Sequence, residues 1–349
     1  MSDPVSNSHL HRLPLVTLYL TERCNSRCVS CDYWRHGRAT MTLSAVQRLL
    51  PSLRRLGTQV VLLSGGEPLL NPEWQQIGAQ LRAAGLDPWL LTSGLSLAKH
   101  AQAAAPIFSA ITVSLDGADA RTYEQIRGLD AFDKVTEGIR AAVKCGAAVT
   151  VRTTVQRCNY AQMRALVDLA LNLGVRQISF LAVDVANPHA FGRNGGSSAS
   201  LALAQEDLAP FEQELALLER EHAAHFESGF IAESPAKLWR ILRYFSALHG
   251  HGAFPAVRCN APEFSAVITA TGAVQPCYFI SGPAAADLGA RHARADTDSA
   301  DSLDDVLNGK AMSALRADIR SGTRPECKTC VCSMWRDPAD LPGSLRLRA

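Results

Sequence analysis

Cysteine spacing carries the first chemistry in this sequence. The segment LYLTERCNSRCVSCDYW places Cys24, Cys28 and Cys31 at C-x3-C-x2-C. Three thiolates fall one short of the four ligands that close a structural zinc site. They suffice to hold three irons of a cubane cluster and leave its fourth iron open to a further ligand. Farther along, Cys259, Gly272 and Cys277 stand at C-x12-G-x4-C, and Cys327, Cys330 and Cys332 follow at C-x2-C-x-C. That second set has enough sulfur to close either a cluster or a zinc site. Cys145 and Cys158 stand apart and read as small buried hydrophobes. The remaining signal is Gly65-Gly66-Glu67-Pro68, where paired glycines permit a backbone approach that any side chain would block.

These residues fall at fixed places in a β-then-α alternation. Short apolar runs at 15–20, 59–63, 88–91, 110–115, 148–155 and 177–183 predict strands. Amphipathic runs at 43–56, 72–84, 96–103, 121–144 and 160–173 predict helices, the first kinked at Pro51. Gly57, Gly85, Gly146 and Gly174 sit where a left-handed residue ends a helix. Near-continuous apolar strands joined by helices require parallel pairing with right-handed crossovers. Six units are too few for a closed eight-stranded barrel, which leaves a partial, open (β/α)6 barrel or a doubly wound sheet. Either one gathers reactive groups at the strand C-terminal ends, where both N-terminal motifs fall.

Beyond residue 185 the pattern changes. Residues 187–200 are Gly/Ser/Asn-rich and read as a linker, with helical patterns at 205–227 and 234–248. A short apolar pair lies around 266–274, and the Ala/Asp/Gly-rich stretch 281–301 reads as a mobile excursion. Ser302, with Asp305 at N3, reads as the N-cap of a helix reaching residue 319.

Composition bounds the partners. The 349 residues carry 35 Lys+Arg against 33 Asp+Glu, a net charge of +2 that gives no electrostatic reason for a nucleic-acid or anionic-membrane partner. The longest uncharged run, 264–286, is broken by Gly272, Pro276, Gly282 and Pro283, so it forms no continuous membrane helix. Residues 1–14 lack a basic head followed by an apolar stretch, so we expect no secretory signal and a cytoplasmic, reducing compartment. There, ten cysteines in clusters are read as metal ligands.

On these motifs the sequence resembles the radical S-adenosylmethionine superfamily, and the resemblance covers most of the chain. It implies an α/β fold built on a partial (β/α)6 TIM-like barrel. Cys24, Cys28 and Cys31 match the ligands of a [4Fe–4S] cluster whose open iron chelates S-adenosylmethionine. Gly65, Gly66, Glu67 and Pro68 match the GGEP motif that brings backbone carbonyls to the methionyl ammonium. Ser30 departs from the family's usual aromatic residue beside the adenine, a place that Tyr33 or Trp34 would have to fill. Ser93 resembles the end of the third strand, and Ser114 a contact to the ribose or carboxylate of S-adenosylmethionine. Arg127 resembles an arginine pairing the methionyl carboxylate, and Leu181 a backbone contact to adenine.

The C-terminal cysteines resemble the SPASM and twitch extensions, which bind auxiliary clusters. No cysteine follows Cys332, which points to one auxiliary [4Fe–4S] cluster held by Cys259, Cys277, Cys327 and Cys330, with Cys332 in reserve. The expected division is a tail at 1–13, the barrel core at 14–185, a linker with helices at 186–252 and the cluster-binding extension at 253–349.

The resemblance implies reductive cleavage of S-adenosylmethionine, hydrogen abstraction by a 5′-deoxyadenosyl radical, and a flavodoxin- or ferredoxin-type electron donor. An auxiliary cluster that accepts the remaining electron favours net oxidation, with Asp184 as candidate base. Tyr278 stands where sulfatase-maturating relatives carry aspartate, as a candidate proton or hydrogen donor or a packing aromatic. With only 14 residues before the first strand, no leader-peptide-gripping domain is expected there. A small-molecule substrate is the first expectation and peptide modification the second. A non-catalytic iron–sulfur or zinc scaffold leaves the three-thiol site and its glycine loop without a purpose.

Overall fold

Six strands, Leu15–Thr21 (β1), Val60–Gly65 (β2), Asp87–Thr92 (β3), Ala110–Ser114 (β4), Val149–Val155 (β5) and Gln177–Ala182 (β6), pair in parallel and in sequence order. The structure is a computed structural model that describes residues 9–35, 37–187, 190–193, 198–284, 286–288 and 302–336. A doubly wound sheet reverses its strand order at a switch point. This sheet never reverses, so the fold is a mixed α/β partial barrel.

Alternation along the strands separates its two faces. In β4 and β5, Ile111, Val113, Val149, Val151 and Val155 are buried, and Val113 packs near Val135 beneath the helical layer. Thr112, Ser114, Thr150, Arg152 and Thr154 occupy the opposite, half-buried face that lines the barrel interior.

The crossover helices are Leu43–Arg55 (α1), Trp74–Ala83 (α2), Leu97–Ala104 (α3), Ala120–Arg127 (α4), Phe132–Lys144 (α5) and Met163–Asn172 (α6). The expected kink at Pro51 does not interrupt α1, which continues through it to Arg55. The single helix expected over 121–144 is instead two, divided at Gly128, whose φ of 70° is left-handed. A Cβ on Gly128 would lie 2.5 Å from the Arg27 carbonyl oxygen, so α4 stops where the cysteine loop packs on it. Cys145 and Cys158 are exposed, a correction to their expected burial. Cys145 caps α5 beyond its buried stripe, and Cys158 lies in the turn after β5.

The C-terminal part is joined to the barrel edge. Ser265–Ile268 (β7) pairs in parallel with β1, and Val274–Gln275 (β8) turns back antiparallel on β7. The complete order is therefore β6-β5-β4-β3-β2-β1-β7-β8. At the other edge the chain at Ile231 bridges Ile178, between helices Leu208–Glu221 (α7), Ala223–Glu227 (α8) and Pro235–Leu248 (α9). Ser302 and Asp305 form the expected capping box, but Gly309 divides the helix into Leu303–Asn308 and Lys310–Ser321. Among described residues the linker carries short turns at Ala190–Gly192 and Ala199–Leu201. Most of 281–301 lies outside the described residues.

Candidate functional site

The loop that follows β1 is held by backbone hydrogen bonds on three sides. Gly66 N–H donates to Thr21 O at 2.8 Å, and Glu67 N–H to Arg23 O at 2.8 Å, joining the loop to the end of β2. Arg27 N–H donates to Arg127 O and Val29 N–H to Ile126 O, both at 3.0 Å, seating it on the last turn of α4. Asp32 N–H donates to Phe191 O at 3.0 Å. Cys24, Cys28 and Cys31 thus sit at the C-terminal mouth of the barrel, where burial first, and then charge on Cys28 and Cys24, push up the Cys31 thiol.

Both glycines of the second motif are required by this packing. Gly65 has φ 119° and an added Cβ would lie 2.6 Å from Thr21 O; at Gly66 it would lie 2.3 Å from Arg23 O. The clash at Gly66 is with backbone adjoining Cys24, so its substitution displaces the cluster loop. We therefore expect Gly66→Ala to lower both bound iron and S-adenosylmethionine affinity, read as iron per folded chain and by calorimetric titration. Normal iron with weakened binding would show that the close approach serves only the ligand.

Glu67 is fully buried and its carboxylate is occupied. It accepts hydrogen bonds from Thr92 Oγ1 (2.7 Å), Ser93 N (2.7 Å), Ser93 Oγ (2.6 Å) and Leu69 N (3.2 Å). It ties the ends of β2 and β3 together, and Ser93 is fixed by the same bonds. Pro68 opens the following turn, where the missing N–H is tolerated. Ser114 ends β4 on the interior face, and Leu181, paired with Thr154, lies on that face at the end of β6.

Arg127 is already paired inside the protein. Its Nε lies 2.7 Å from Asp116 Oδ2 and its Nη1 donates to Cys28 Sγ at 3.3 Å. Burial disfavours the guanidinium charge, but Asp116 and then Cys28 outweigh burial and raise the pKa. Asp116 in turn accepts a hydrogen bond from Thr154 N at 2.6 Å. A buried pair of this kind is costly to break, because the partner left behind is an uncompensated charge.

Asp184 Oδ1 accepts from Ala186 N (3.0 Å) and Asn187 N (2.9 Å), and burial raises its pKa. Tyr278 reaches from the C-terminal hairpin to β1, with its hydroxyl 2.7 Å from Thr17 Oγ1. Asn187 Nδ2 donates to Phe279 O at 2.6 Å, which brings the segment after β6 against the same hairpin.

The second cysteine set also converges. Charge on Cys259 and Cys327 raises Cys277, Cys332 and Cys277 raise Cys330, and Cys259 raises Cys332, in each case after burial as the larger cause. A shared backbone feature marks both sets. An N–H two residues on donates to the thiol sulfur from Ser26 to Cys24 (3.4 Å), Ala261 to Cys259 (3.5 Å), Phe279 to Cys277 (3.5 Å) and Cys332 to Cys330 (3.4 Å). Tyr33 does the same for Cys31.

These donors suit thiolates, yet burial holds the free thiols protonated, with Cys24 pushed up to about 11 and Cys31 and Cys277 to about 12. A bound cluster supplies the charge that deprotonates them. The chemistry of both donor sets therefore fits iron–sulfur clusters.

Residues 18–170 match the model of the Radical SAM superfamily, and residues 259–331 match SPASM, an iron–sulfur cluster-binding domain. The chain is a SPASM-type radical SAM protein. The two domains imply a [4Fe–4S] cluster with S-adenosylmethionine and an auxiliary cluster.

Among curated relatives, the AdoMet-dependent heme synthase of Methanosarcina barkeri is 30% identical over 170 residues, covering 46% of this chain and 48% of that protein. The GTP 3′,8-cyclase of Pectobacterium atrosepticum is 33% identical over 167 residues, covering 45% and 51%. The chain thus spans about half the length of the curated relatives it matches.

Two solved structures share the fold. Streptococcus suis SuiB bound to precursor peptide SuiA has a TM-score of 0.61 at 16% identity, covering 93% of this chain and 71% of that one. anSMEcpe with bound AdoMet has a TM-score of 0.63 at 18% identity, covering 91% and 87%.

Two features of the radical SAM domain have no signature in the sequence. Asp116 lies eleven positions before its partner Arg127, and no local pattern links them. Arg152 is a lone cation in the alternating strand VTVRTTV, at a position whose parity alone marks it as inward-facing.

Proposed function

We propose that the chain is a radical SAM enzyme that abstracts a hydrogen atom from a small-molecule substrate, with net oxidation or bond rearrangement. The observation that carries this is the three-thiol loop, locked between the β2 glycines and the end of α4 at the mouth of a parallel barrel. When bound, the cluster supplies the electron that splits S-adenosylmethionine into methionine and a 5′-deoxyadenosyl radical.

The chain's own residues do the rest of the positioning. Gly65 and Gly66 let the β2 end close on the cysteine loop, and Glu67 holds Ser93 in place. Arg127 faces the Cys28 sulfur with a charge that Asp116 fixes. Ser114 and Leu181 line the interior mouth, where ribose and adenine would lie. Asp184, whose burial makes its carboxylate more basic, is the candidate proton acceptor. Tyr278 closes the interior on the side of the C-terminal cysteines. Cys259, Cys277, Cys327 and Cys330 would hold the auxiliary cluster, which would supply an acceptor for the substrate electron, and an external flavodoxin- or ferredoxin-type protein would supply the first electron. We assign residues 14–185 to the barrel core and 253–349 to the auxiliary unit, in a cytoplasmic protein.

The small-molecule assignment is supported by relatives named for haem synthesis and GTP cyclisation. Peptide modification is the second reading, favoured by the solved structures with bound peptides that share most of this fold. The test is anaerobic reduction of the reconstituted protein with S-adenosylmethionine, followed by detection of equal methionine and 5′-deoxyadenosine. Absence of both products overturns the proposal.

A further inference from the structure

Among the described residues, the interior face carries a charge that the protein does not answer. Arg152 projects from β5 beside Ser114 on β4 and is only half-buried. Its Nε is buried with no hydrogen-bond partner, and no ion pair or side-chain hydrogen bond involves its guanidinium among the described residues. Its charge reaches Tyr278 and Cys332, so it looks across the interior toward the C-terminal hairpin.

The acids around this space are all engaged elsewhere. Glu67 is bound by Thr92, Ser93 and Leu69, Asp116 by Arg127 and Thr154, and Asp184 by Ala186 and Asn187. Glu233, at the β6 edge, is held by Ser179, Phe180 and Lys237. A barrel interior is ordinarily filled by branched apolar side chains. Here the same face presents, beside Leu62, Trp89 and Leu91, the hydroxyls of Thr17, Thr112, Ser114, Thr150 and Thr154 and a bare guanidinium. A half-buried cation whose Nε is buried without a partner leaves a donor that a ligand anion can satisfy.

We propose that Arg152 is a specificity-determining residue that binds a carboxylate or phosphate of an anionic substrate, in the chamber between the radical SAM loop and the C-terminal hairpin. The planar fork of arginine suits bidentate binding of either oxyanion, and the surrounding hydroxyls add further donors. This rests on the enzymatic reading above, since it places the substrate in the same chamber. It narrows the candidates to acidic small molecules, phosphorylated or carboxylated.

The experiment uses the reconstituted holoenzyme with S-adenosylmethionine bound, titrated calorimetrically with inorganic phosphate and with acetate. Wild type and Arg152→Lys should bind at least one of them, and Arg152→Gln should bind about tenfold or more weakly. S-Adenosylmethionine affinity and iron content should stay unchanged in both variants. Binding that is equal in Arg152→Gln, or absent in wild type, overturns the proposal. A parallel loss of S-adenosylmethionine affinity also overturns it, by giving Arg152 to the methionyl carboxylate. A loss of iron overturns it as well, by assigning Arg152 to the charge of the cluster. S-Adenosylmethionine cleavage by the wild type without substrate is scored separately, so failure of the enzymatic reading is not confused with failure of this one.

Discussion

Replacing Cys24, Cys28 and Cys31 together by alanine is expected to remove about four irons per chain and abolish S-adenosylmethionine cleavage. No other thiol is placed to substitute, because the remaining described cysteines belong to the C-terminal set or are exposed elsewhere. The variant should still fold. All three thiols are only intermediate in exposure, and the loop is held by the backbone bonds to Gly66, Glu67, Ile126 and Arg127 rather than by sulfur. Each substitution should cost on the order of 1 kcal/mol or less, which a fold of this size tolerates. Arg127 keeps its pairing with Asp116 when Cys28 is lost. Iron analysis and chromatography of 5′-deoxyadenosine provide the check, and retained cleavage in the triple variant would refute the assignment of the site.

The second large effect lies at the other end of the chain. Cys259→Ala, Cys277→Ala should lose about four irons, abolish substrate turnover, and leave 5′-deoxyadenosine formation without substrate intact. These two positions are anchored separately from the metal. Cys277 follows β8 on the edge built on β1, and Asn260 N–H donates to Met334 O at 2.9 Å. Arg336 N–H donates to Asn260 Oδ1, also at 2.9 Å. Loosening should therefore be confined to 327–332, where the chain relies on Cys327, Cys330 and Cys332, and limited proteolysis should cut there first. One zinc and four irons per wild-type chain would instead make the tail a structural zinc site and remove the electron acceptor.

Much of the framework was legible because its causes are local. Strand and helix periods placed every barrel strand, and every crossover helix but the divided pair over 121–144, within a few residues, and Gly57, Gly85, Gly146 and Gly174 all adopt positive φ, as their positions after helices predicted. The three-thiol loop was legible for the same reason: Cys24, Cys28 and Cys31, the proposed cluster ligands, lie on one short segment, so their spacing already limits their separation. The capping box at Ser302 likewise needs only residues three positions apart.

Other features depend on groups that chain distance does not bring together. The order of the strands, and with it the barrel, depends on which edges meet, as does the seating of β7 against β1. The split at Gly128 comes from the approach of Arg27, about a hundred positions earlier, and periodicity within 121–144 contains no trace of it. Arg127 reads along the chain as free for a ligand, yet folding sets Asp116 beside it. Arg152 is one cation in the strand VTVRTTV, and only the tertiary structure leaves its Nε buried without a hydrogen-bond partner. Backbone sterics and side-chain period are local, so the order of residues settles which chemical groups exist and which local shapes they adopt. Whether a charge on the interior is answered by the protein or left for a ligand depends on packing across the barrel, where a neighbour within about 4 Å acts far more strongly than a distant, screened one.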